Sequence, residues 1–299
     1  MKKLQLNEEV NISRLVQGVW RLADWNYQKA EIEGLIEACL ELGIDTFDHA
    51  DIYGNYSCEE MFGHAIKHRT DLKEKIKIIT KCGIKLISDK RPDHYVKHYD
   101  TSFEHIVWSA ENSLKMLGVD VLDVLLIHRP DPFINTHEVA RAFSKLKEQG
   151  KVKAFGVSNF LPSQFKALQA AMDFPLVTNQ IEISAVALHE FANGSIDLCQ
   201  ELGIPPMAWS PLAGGGIFNA QTHRMMTLKN VLHKIGDNHG ATIDQVMYAW
   251  LLSHPAGIVP VIGSGKIDRI RAAIDAQQIH LSRQEWFEIW VASKGESVP

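Results

Sequence analysis

The chain has 299 residues, of which 45% are apolar and 22% are charged, and its formal net charge is −5. This composition excludes a disordered chain, and the mild acidity excludes an overall positive field for nucleic acids or anionic membranes. No apolar run approaches the roughly 20 residues that span a bilayer, and the N-terminal segment lacks the apolar core of a secretory signal, so we expect a cytoplasmic protein.

Short β-rich runs alternate along the chain with segments of helical periodicity. The runs that predict strands are Leu15–Trp20, Asp45–His49, Lys77–Cys82, Val124–His128, Ala154–Ser158, Val177–Ile181, Pro206–Ser210 and Val259–Gly263. Apolar residues at spacings of three and four predict helices over Gln28–Leu42, Phe103–Leu117, His137–Gln149, Ser163–Met172 and Thr242–Leu252. This alternation implies parallel strands that are joined by right-handed crossovers.

Eight strand–helix units favour an α/β fold of the closed (β/α)8 TIM-barrel type over an open doubly wound sheet. No GxGxxG pattern follows the first strand, because Gly18-Val19-Trp20 breaks it. Barrels of about 250 residues form one domain, and no low-complexity linker divides the chain, so we expect a single domain over residues 1–299. The chain is longer than such a barrel. We predict that the additional residues form an N-terminal β-hairpin lid before Leu15, a helix over Met225–His239 and an extra C-terminal helix over Ser282–Ser293.

The cysteines and histidines form no pattern that predicts a disulfide or a metal site. Cys39, Cys58, Cys82 and Cys199 are scattered and include no CxxC pair, so we expect reduced thiols. Two pairs of histidines stand four residues apart, but neither pair forms an HExxH motif, and no metal is expected.

Ionisable side chains that can take part in catalysis lie at the ends of neighbouring predicted strands. Asp48, Lys81 and His128 come at the ends of the second, third and fourth strands, and Tyr53 follows Asp48 in the loop. Barrel enzymes carry their active sites at this end of the strands, and adjacent strands lie about 4.8 Å apart. Taken alone, each of these four residues is explained equally well by a purely structural role. Four ionisable groups together are costly to bury unless they are paired, so the group indicates a functional site.

The segments around these residues resemble the aldo-keto reductase superfamily. They are Phe47–Gly54, Ile79–Lys81, Leu125–His128, Gly156–Phe160 and the segment around Gln180. The similarity runs from about Leu15 to Gln277, with the motifs in the family's order. The resemblance implies a barrel enzyme that reduces aldehydes and ketones with NADP(H), and it implies a catalytic tetrad of Asp48, Tyr53, Lys81 and His128.

Carbonyl reduction needs a hydride donor and an acid that protonates the developing alkoxide. Tyr53 is the predicted acid, because a phenol has a pKa near 10 and keeps its proton at neutral pH. We predict that the Lys81 ammonium lowers the pKa of Tyr53 and that Asp48 holds Lys81 in place. His128 is predicted to donate a hydrogen bond to the carbonyl oxygen.

The resemblance also assigns the cofactor site. Ser158, Asn159 and Gln180 match positions that hold the nicotinamide carboxamide, and Trp209 stands where an aromatic ring stacks on the nicotinamide. The pyrophosphate segment is matched by Ser210, Pro211, Leu212, Gly214 and Gly215. The 2′-phosphate site is matched by Ser264, Lys266 and Arg269, near a predicted helix N-terminus, and this predicts a preference for NADPH over NADH. Ala272-Ala273 replace the Glu-Asn pair with which many members contact adenine.

The sequence identifies the residues that contact the substrate less clearly than those that contact the cofactor. Trp20, Trp25 and Tyr56 are candidates to line an apolar pocket for a small-molecule carbonyl compound, and we expect a monomer or weak oligomer. Two alternatives to a reductase remain open: a regulatory subunit that binds NADPH without turnover, and a class I aldolase that forms a Schiff base on Lys81. The aldolase is disfavoured because Asp48 and Tyr53 keep Lys81 cationic.

Overall fold

The computed structural model describes residues 2–299, and its centre is a closed barrel of eight parallel strands. An antiparallel hairpin precedes the barrel, and a second short antiparallel pair lies between the third and fourth barrel strands. In chain order the strands are β1 (Lys3–Gln5), β2 (Asn11–Ser13), β3 (Val16–Gly18), β4 (Thr46–Asp48), β5 (Lys77–Cys82), β6 (Ile84–Lys85), β7 (His98–Tyr99), β8 (Leu122–Ile127), β9 (Val152–Ser158), β10 (Asn179–Glu182), β11 (Met207–Trp209) and β12 (Val259–Ile262).

The barrel strands follow one another in chain order around the ring. The order is β3, β4, β5, β8, β9, β10, β11 and β12, and β12 closes the ring by pairing with β3. Every barrel strand overlaps one predicted strand, so the predicted (β/α)8 barrel is confirmed. The first barrel strand ends at Gly18, two residues earlier than predicted, and Trp20 therefore lies in the following loop.

Helices surround the barrel. They are α1 (Lys29–Glu41), α2 (Tyr53–Tyr56), α3 (Cys58–Ile66), α4 (Thr70–Lys73), α5 (Phe103–Leu117), α6 (Thr136–Glu148), α7 (Pro162–Gln169), α8 (Ser195–Leu202), α9 (His223–His239), α10 (Ile243–Leu252), α11 (Ile267–Asp275) and α12 (Arg283–Lys294). The five predicted crossover helices correspond to α1, α5, α6, α7 and α10, and the two extra helices to α9 and α12. No helix within residues 2–299 is both long enough and apolar enough to cross a membrane.

The barrel interior is filled by apolar side chains, and its amino end is closed. Val16, Ile79, Val124 and Met207 from four different strands belong to one buried cluster. The hairpin of β1 and β2 adds residues such as Ile12 to the same cluster, which confirms the predicted lid. A ligand therefore has access to the barrel only from the carboxyl ends of the strands.

The outer layer forms where the apolar faces of the helices pack on the barrel. Phe143 of α6 stacks on Phe155 of β9 with ring centroids 4.3 Å apart, and both rings are fully buried. Polar side chains fix the helix starts: the Ser102 hydroxyl accepts a hydrogen bond from the backbone N–H of His105 at 3.3 Å. Gly118 ends α5 with φ of 65°, a left-handed conformation that suits a helix C-cap.

Candidate active site

A cleft of about 920 Å³ opens at the carboxyl ends of the barrel strands. Its wall includes residues at or just after each of the eight strand ends. Trp20 and His128 lie in this wall, together with Asp48 and Tyr53. Since the hairpin closes the other end of the barrel, this cleft is the natural place for a ligand.

Lys81 is buried beside the cleft at the centre of a hydrogen-bond cluster. Its Nζ donates to the two carboxylate oxygens of Asp48 at 2.8 and 2.7 Å. The same nitrogen donates to the carbonyl oxygen of His49 at 2.8 Å and to the Tyr53 hydroxyl oxygen at 3.1 Å. Asp48 ends β4 and Tyr53 begins α2, so one strand and the loop after it supply both partners of a lysine on the next strand. The structure thus brings three of the four predicted tetrad residues into direct contact.

Burial and charge set the protonation of these groups. Burial acts to lower the pKa of Lys81, but Asp48 and Tyr53 together outweigh it, and the net pKa is raised. Burial raises the pKa of Tyr53 above its ordinary value of 10.0, although the Lys81 ammonium opposes this. The predicted lowering by Lys81 is therefore present, but the net direction differs from the prediction because desolvation of the phenolate is larger. At neutral pH Lys81 is cationic and Tyr53 keeps its proton.

His128 faces Tyr53 from the next strand end. The two rings meet edge to face with centroids 5.8 Å apart. Burial, with smaller contributions from the positive charges of Lys81, Arg129 and Lys97, lowers the pKa of His128 well below 6.5. The imidazole is therefore neutral at pH 7 and carries one N–H that can be donated. Its Nδ1 is buried and has no hydrogen-bond partner within residues 2–299.

The residues predicted to hold the carboxamide lie beside the tetrad and are linked to it. Gln180 donates from Nε2 to Asp48 Oδ1 at 2.8 Å, and the Ser158 hydroxyl donates to the Gln180 carbonyl at 2.7 Å. Asn159 donates from Nδ2 to Ser158 Oγ at 2.8 Å and accepts from Trp209 Nε1 at 2.9 Å. All of them line the cleft. Asn159 has φ of 61°, a left-handed conformation that is uncommon outside glycine and is often found at functional sites.

The segment after β11 has an unusual backbone where the pyrophosphate is predicted to lie. Ser210 has φ of 50°, and Gly214 and Gly215 have φ of 64° and 87°. A Cβ at Gly214 would meet nothing within 4 Å, so this glycine serves backbone conformation rather than protein packing. Ser210, Gly214 and Gly215 line the cleft together with Pro211 and Leu212.

The segment after β12 supplies two of the three predicted phosphate ligands to the cleft. Ser264 and Arg269 line it, whereas Lys266 is exposed and lies outside its wall. Ser264 is held in place by Gln17, a buried residue of β3 whose Nε2 donates to the Ser264 carbonyl at 2.9 Å. Ala273 is buried, and its methyl group offers no polar contact at the position predicted to face adenine.

Of the three aromatic residues proposed for the substrate pocket, only Trp20 lines the cleft. Trp25 packs on the backbone after β12, where a Cβ at Gly265 would approach its ring to 2.9 Å. The hydroxyl of Tyr56 accepts a hydrogen bond from the backbone N–H of Leu86 at 2.8 Å and so ties two loops together. The structure therefore does not bring Trp25 and Tyr56 into the cleft, because both rings are used in packing between loops.

Several cleft residues were not predicted from the sequence. Lys97 lies beside β7 in the loop after β5, and Arg129 directly follows His128. The guanidinium of Arg129 lies over the Trp209 ring at 5.6 Å from its centroid. The position next to His128 was a usable signal for Arg129, whereas nothing in the sequence shows that the long loop folds Lys97 back toward the strand ends.

A buried pair of carboxyl groups lies behind the tetrad. Asp51 accepts a hydrogen bond from the Ser109 hydroxyl at 2.9 Å, and Glu59 accepts one from the Thr80 hydroxyl at 2.6 Å. Burial and, to a smaller extent, the charge of Glu59 raise the pKa of Asp51 to about 8. Burial also raises the pKa of Glu59 to about 7. Both carboxyl groups therefore keep their protons to a higher pH than exposed carboxyl groups do.

The sequence model of the aldo/keto reductase family matches residues 14–292. The chain is 50% identical to the uncharacterized oxidoreductase YcsN of Bacillus subtilis, over all of both chains. It is 47% identical to the oxidoreductase YdhF of Escherichia coli, over 96% of this chain and 95% of that one. The segment Leu125–Pro132 indicates a likeness to YdhF, and the identity over the full chains confirms a close relationship, with a slightly higher identity to YcsN. A 6-dehydroglucose reductase of Agrobacterium fabrum is 45% identical over both full lengths.

Solved structures show the same fold. The thermostable aldo-keto reductase Tm1743, solved with the inhibitor epalrestat, has a TM-score of 0.82 and 28% identity, over 98% of this chain and all of that one. An aldo/keto reductase from Klebsiella pneumoniae in complex with NADP and acetate has a TM-score of 0.79 and 24% identity, over 96% of this chain and 94% of that one.

Proposed function

This chain belongs to the aldo/keto reductase family, and from that premise we propose that it is an NADPH-dependent oxidoreductase that converts small-molecule aldehydes and ketones to alcohols. The observation that carries the proposal is the contact of Lys81 Nζ with both Asp48 and Tyr53 at one side of an open cleft, with His128 facing Tyr53. This arrangement offers a protonated phenol, a fixed positive charge behind it and a neutral imidazole beside it.

The tetrad residues would act on the carbonyl oxygen. Tyr53 and His128 would each donate a hydrogen bond to this oxygen, which polarises the carbonyl group. As negative charge develops on the oxygen, Tyr53 would transfer its proton to it, and Lys81 would stabilise the resulting phenolate across 3.1 Å. Asp48 keeps Lys81 cationic and fixes its direction through two short hydrogen bonds.

The residues around the cleft fit a nicotinamide dinucleotide, which supplies the hydride when bound. Ser158, Asn159 and Gln180 offer amide and hydroxyl groups beside the tetrad for a carboxamide. The left-handed backbone of Ser210 and the open space around Gly214 would allow backbone N–H groups to approach a pyrophosphate. The cleft volume of about 920 Å³ also leaves room for a substrate.

The preference for NADPH over NADH rests on the segment after β12. Ser264 and Arg269 line the cleft just before and within the first turn of α11, where the helix dipole also favours a phosphate. Lys266 would contribute through its backbone position and by reorienting its exposed side chain. The Klebsiella aldo/keto reductase, solved in complex with NADP, shares the fold on which this proposal is built.

The two alternatives are weaker on specific grounds. A Schiff-base aldolase needs a neutral lysine, whereas Lys81 is surrounded by acceptors and its pKa is raised, mainly by Asp48 against the effect of burial. A regulatory subunit would bind NADPH without turnover. Borohydride would trap a substrate on Lys81 if the protein were an aldolase. A regulatory subunit would consume no NADPH.

The experiment is to follow NADPH consumption with a panel of aldehydes, ketones and quinones. Because the Agrobacterium relative is named a 6-dehydroglucose reductase, 6-dehydroglucose belongs in the panel. The proposal predicts turnover with at least one carbonyl compound and a lower kcat/KM with NADH. Tight NADPH binding without turnover across the panel would favour the regulatory subunit.

A further inference from the structure

The cleft has a positively charged side that the proposed reaction does not use. Lys97 and Arg129 both line the cleft. Within the described residues 2–299, neither side chain makes a salt bridge or a hydrogen bond to a protein group, although Arg129 lies over the Trp209 ring. Two cations that converge on one cleft without acidic partners repel each other and attract an anion.

The carboxylates nearby are already engaged. Asp48 accepts from Lys81 and Gln180, and Asp100 pairs with Lys85 at 2.5 Å. Asp131 accepts from the Thr101 hydroxyl at 2.8 Å and from the backbone N–H of Phe133 at 2.7 Å. None of these three carboxylates therefore pairs with Lys97 or Arg129.

The strand order separates this side from the segments proposed to bind cofactor phosphates. Lys97 lies in the loop after β5 and Arg129 lies directly after β8, and these strands are neighbours in the barrel. In a ring of eight strands the positions opposite β5 and β8 are those of β11 and β12. The phosphate-binding segments follow β11 and β12, so both cations start from the other half of the cleft, beside His128. The Arg129 side chain extends across the cleft from there, and its guanidinium lies over the ring of Trp209 at the end of β11.

We propose that Lys97 and Arg129 form an anion subsite and that the substrate is an acidic carbonyl compound, in which a carboxylate stands a few bonds from the aldehyde or ketone. The inference rests on the proposed reductase function. Arg129 directly follows His128, which is proposed to hold the carbonyl oxygen, and Lys97 supplies a second charge from the adjacent wall. The smaller effects of Lys97 and Arg129 on the pKa of His128 agree with this closeness.

The test compares acidic aldehydes with neutral ones of the same shape. The probes are 3- and 4-carboxybenzaldehyde and the corresponding formylbenzamides, measured by NADPH consumption with the full-length protein. The variants are Lys97→Gln, Arg129→Gln and the double variant, and the control is Lys90→Gln, an exposed lysine of the same loop that does not line the cleft. The ratio of kcat/KM for acid to amide is compared between proteins, because the intrinsic reactivity of each aldehyde then cancels.

We expect the wild-type protein to favour the acid in at least one pair. Each single variant should lower the ratio about fivefold, and the double variant should lower it further, since a solvent-accessible ion pair contributes up to about 1 kcal/mol. High salt should lower the same ratio in the wild-type protein. The Lys90→Gln control should keep both kcat/KM values and the Kd for NADPH within about twofold of wild type. Lys97→Gln should likewise keep the Kd for NADPH within about twofold of wild type.

Two results would overturn the inference while leaving the reductase function intact. One is an unchanged ratio of acid to amide in the double variant. The other is a weaker NADPH affinity with an equal loss of both substrates, which would assign the cations to the cofactor. Absence of turnover with the acids, with the amides and with every other carbonyl compound of the panel would instead contradict the proposed function itself.

Discussion

Replacement of Lys81 by methionine would remove the ammonium group while keeping an unbranched side chain of similar length. In the structure this nitrogen contacts both Asp48 oxygens, the His49 carbonyl and Tyr53 within 3.1 Å, and the lysine is 1% exposed. Its loss leaves Asp48 as a buried charge whose remaining side-chain donor is Gln180 at 2.8 Å. Breaking a buried ion pair in this way costs about 3–5 kcal/mol of folding stability.

The same change should remove most of the activity. The pKa of Tyr53 is already raised by burial, and Lys81 opposes that effect, so the pKa rises further without the ammonium. An opposite charge this close changes a protonation equilibrium by about 10- to 1000-fold, and we expect kcat to fall by about 100-fold or more. Urea unfolding would measure the free energy of unfolding, and NADPH consumption with a good aldehyde would measure kcat.

A double variant separates the two effects. Asp48→Asn combined with Lys81→Met removes both charges, so it should recover most of the lost stability but none of the lost turnover. Lys81→Met with unchanged stability would refute the buried ion pair as described. Lys81→Met with near-normal kcat would refute the role of Lys81 beside Tyr53.

Three further predictions concern other parts of the site. Arg269→Gln should weaken NADPH binding by about tenfold or more and leave NADH binding unchanged, since only NADPH carries the 2′-phosphate; equal losses in titrations with both cofactors would contradict this. His128→Ala should lower kcat/KM by about 100-fold, and because the pKa of His128 is well below 6.5 the wild-type pH profile should show no step near that value. The raised pKa values of Asp51 and Glu59, about 8 and about 7, mean that the folded state holds protons that the unfolded chain releases near pH 4. The free energy of unfolding should therefore fall as the pH rises from about 5 to 8, and urea titrations of Asp51→Asn and Glu59→Gln should give a shallower fall.

The barrel was predictable because its strands are buried on both faces and its helices are amphipathic. The short runs Lys77–Cys82 and Val259–Gly263 predict strands from composition alone, and the structure has barrel strands over Lys77–Cys82 and Val259–Ile262. The helix Cys58–Ile66 was not predicted, although its buried Phe62 and Ile66 are four residues apart. It has nine residues, and a window this short gives a weak periodic signal directly after the Tyr53 segment.

The tetrad was predictable because barrel geometry brings strand ends together whatever the loops do. Asp48, Lys81 and His128 need only their strand positions to converge, and Tyr53 needs only a short loop. Trp25 and Tyr56 lie in loops, where contacts distant in sequence decide which way a ring points. Local sequence patterns do not reveal such contacts. The net rise in the pKa of Tyr53 was missed for a related reason, since the extent of burial depends on the complete fold.

The role of Tyr53 as the acid that protonates the carbonyl oxygen in an NADPH-dependent reduction can be tested with the variant Tyr53→Phe. This variant keeps the ring that packs against His128 and removes only the hydroxyl that Lys81 contacts at 3.1 Å. With a good aldehyde substrate, kcat should fall by about 100- to 10000-fold, while the Kd for NADPH stays within about twofold of wild type. Near-normal turnover of Tyr53→Phe would contradict the account.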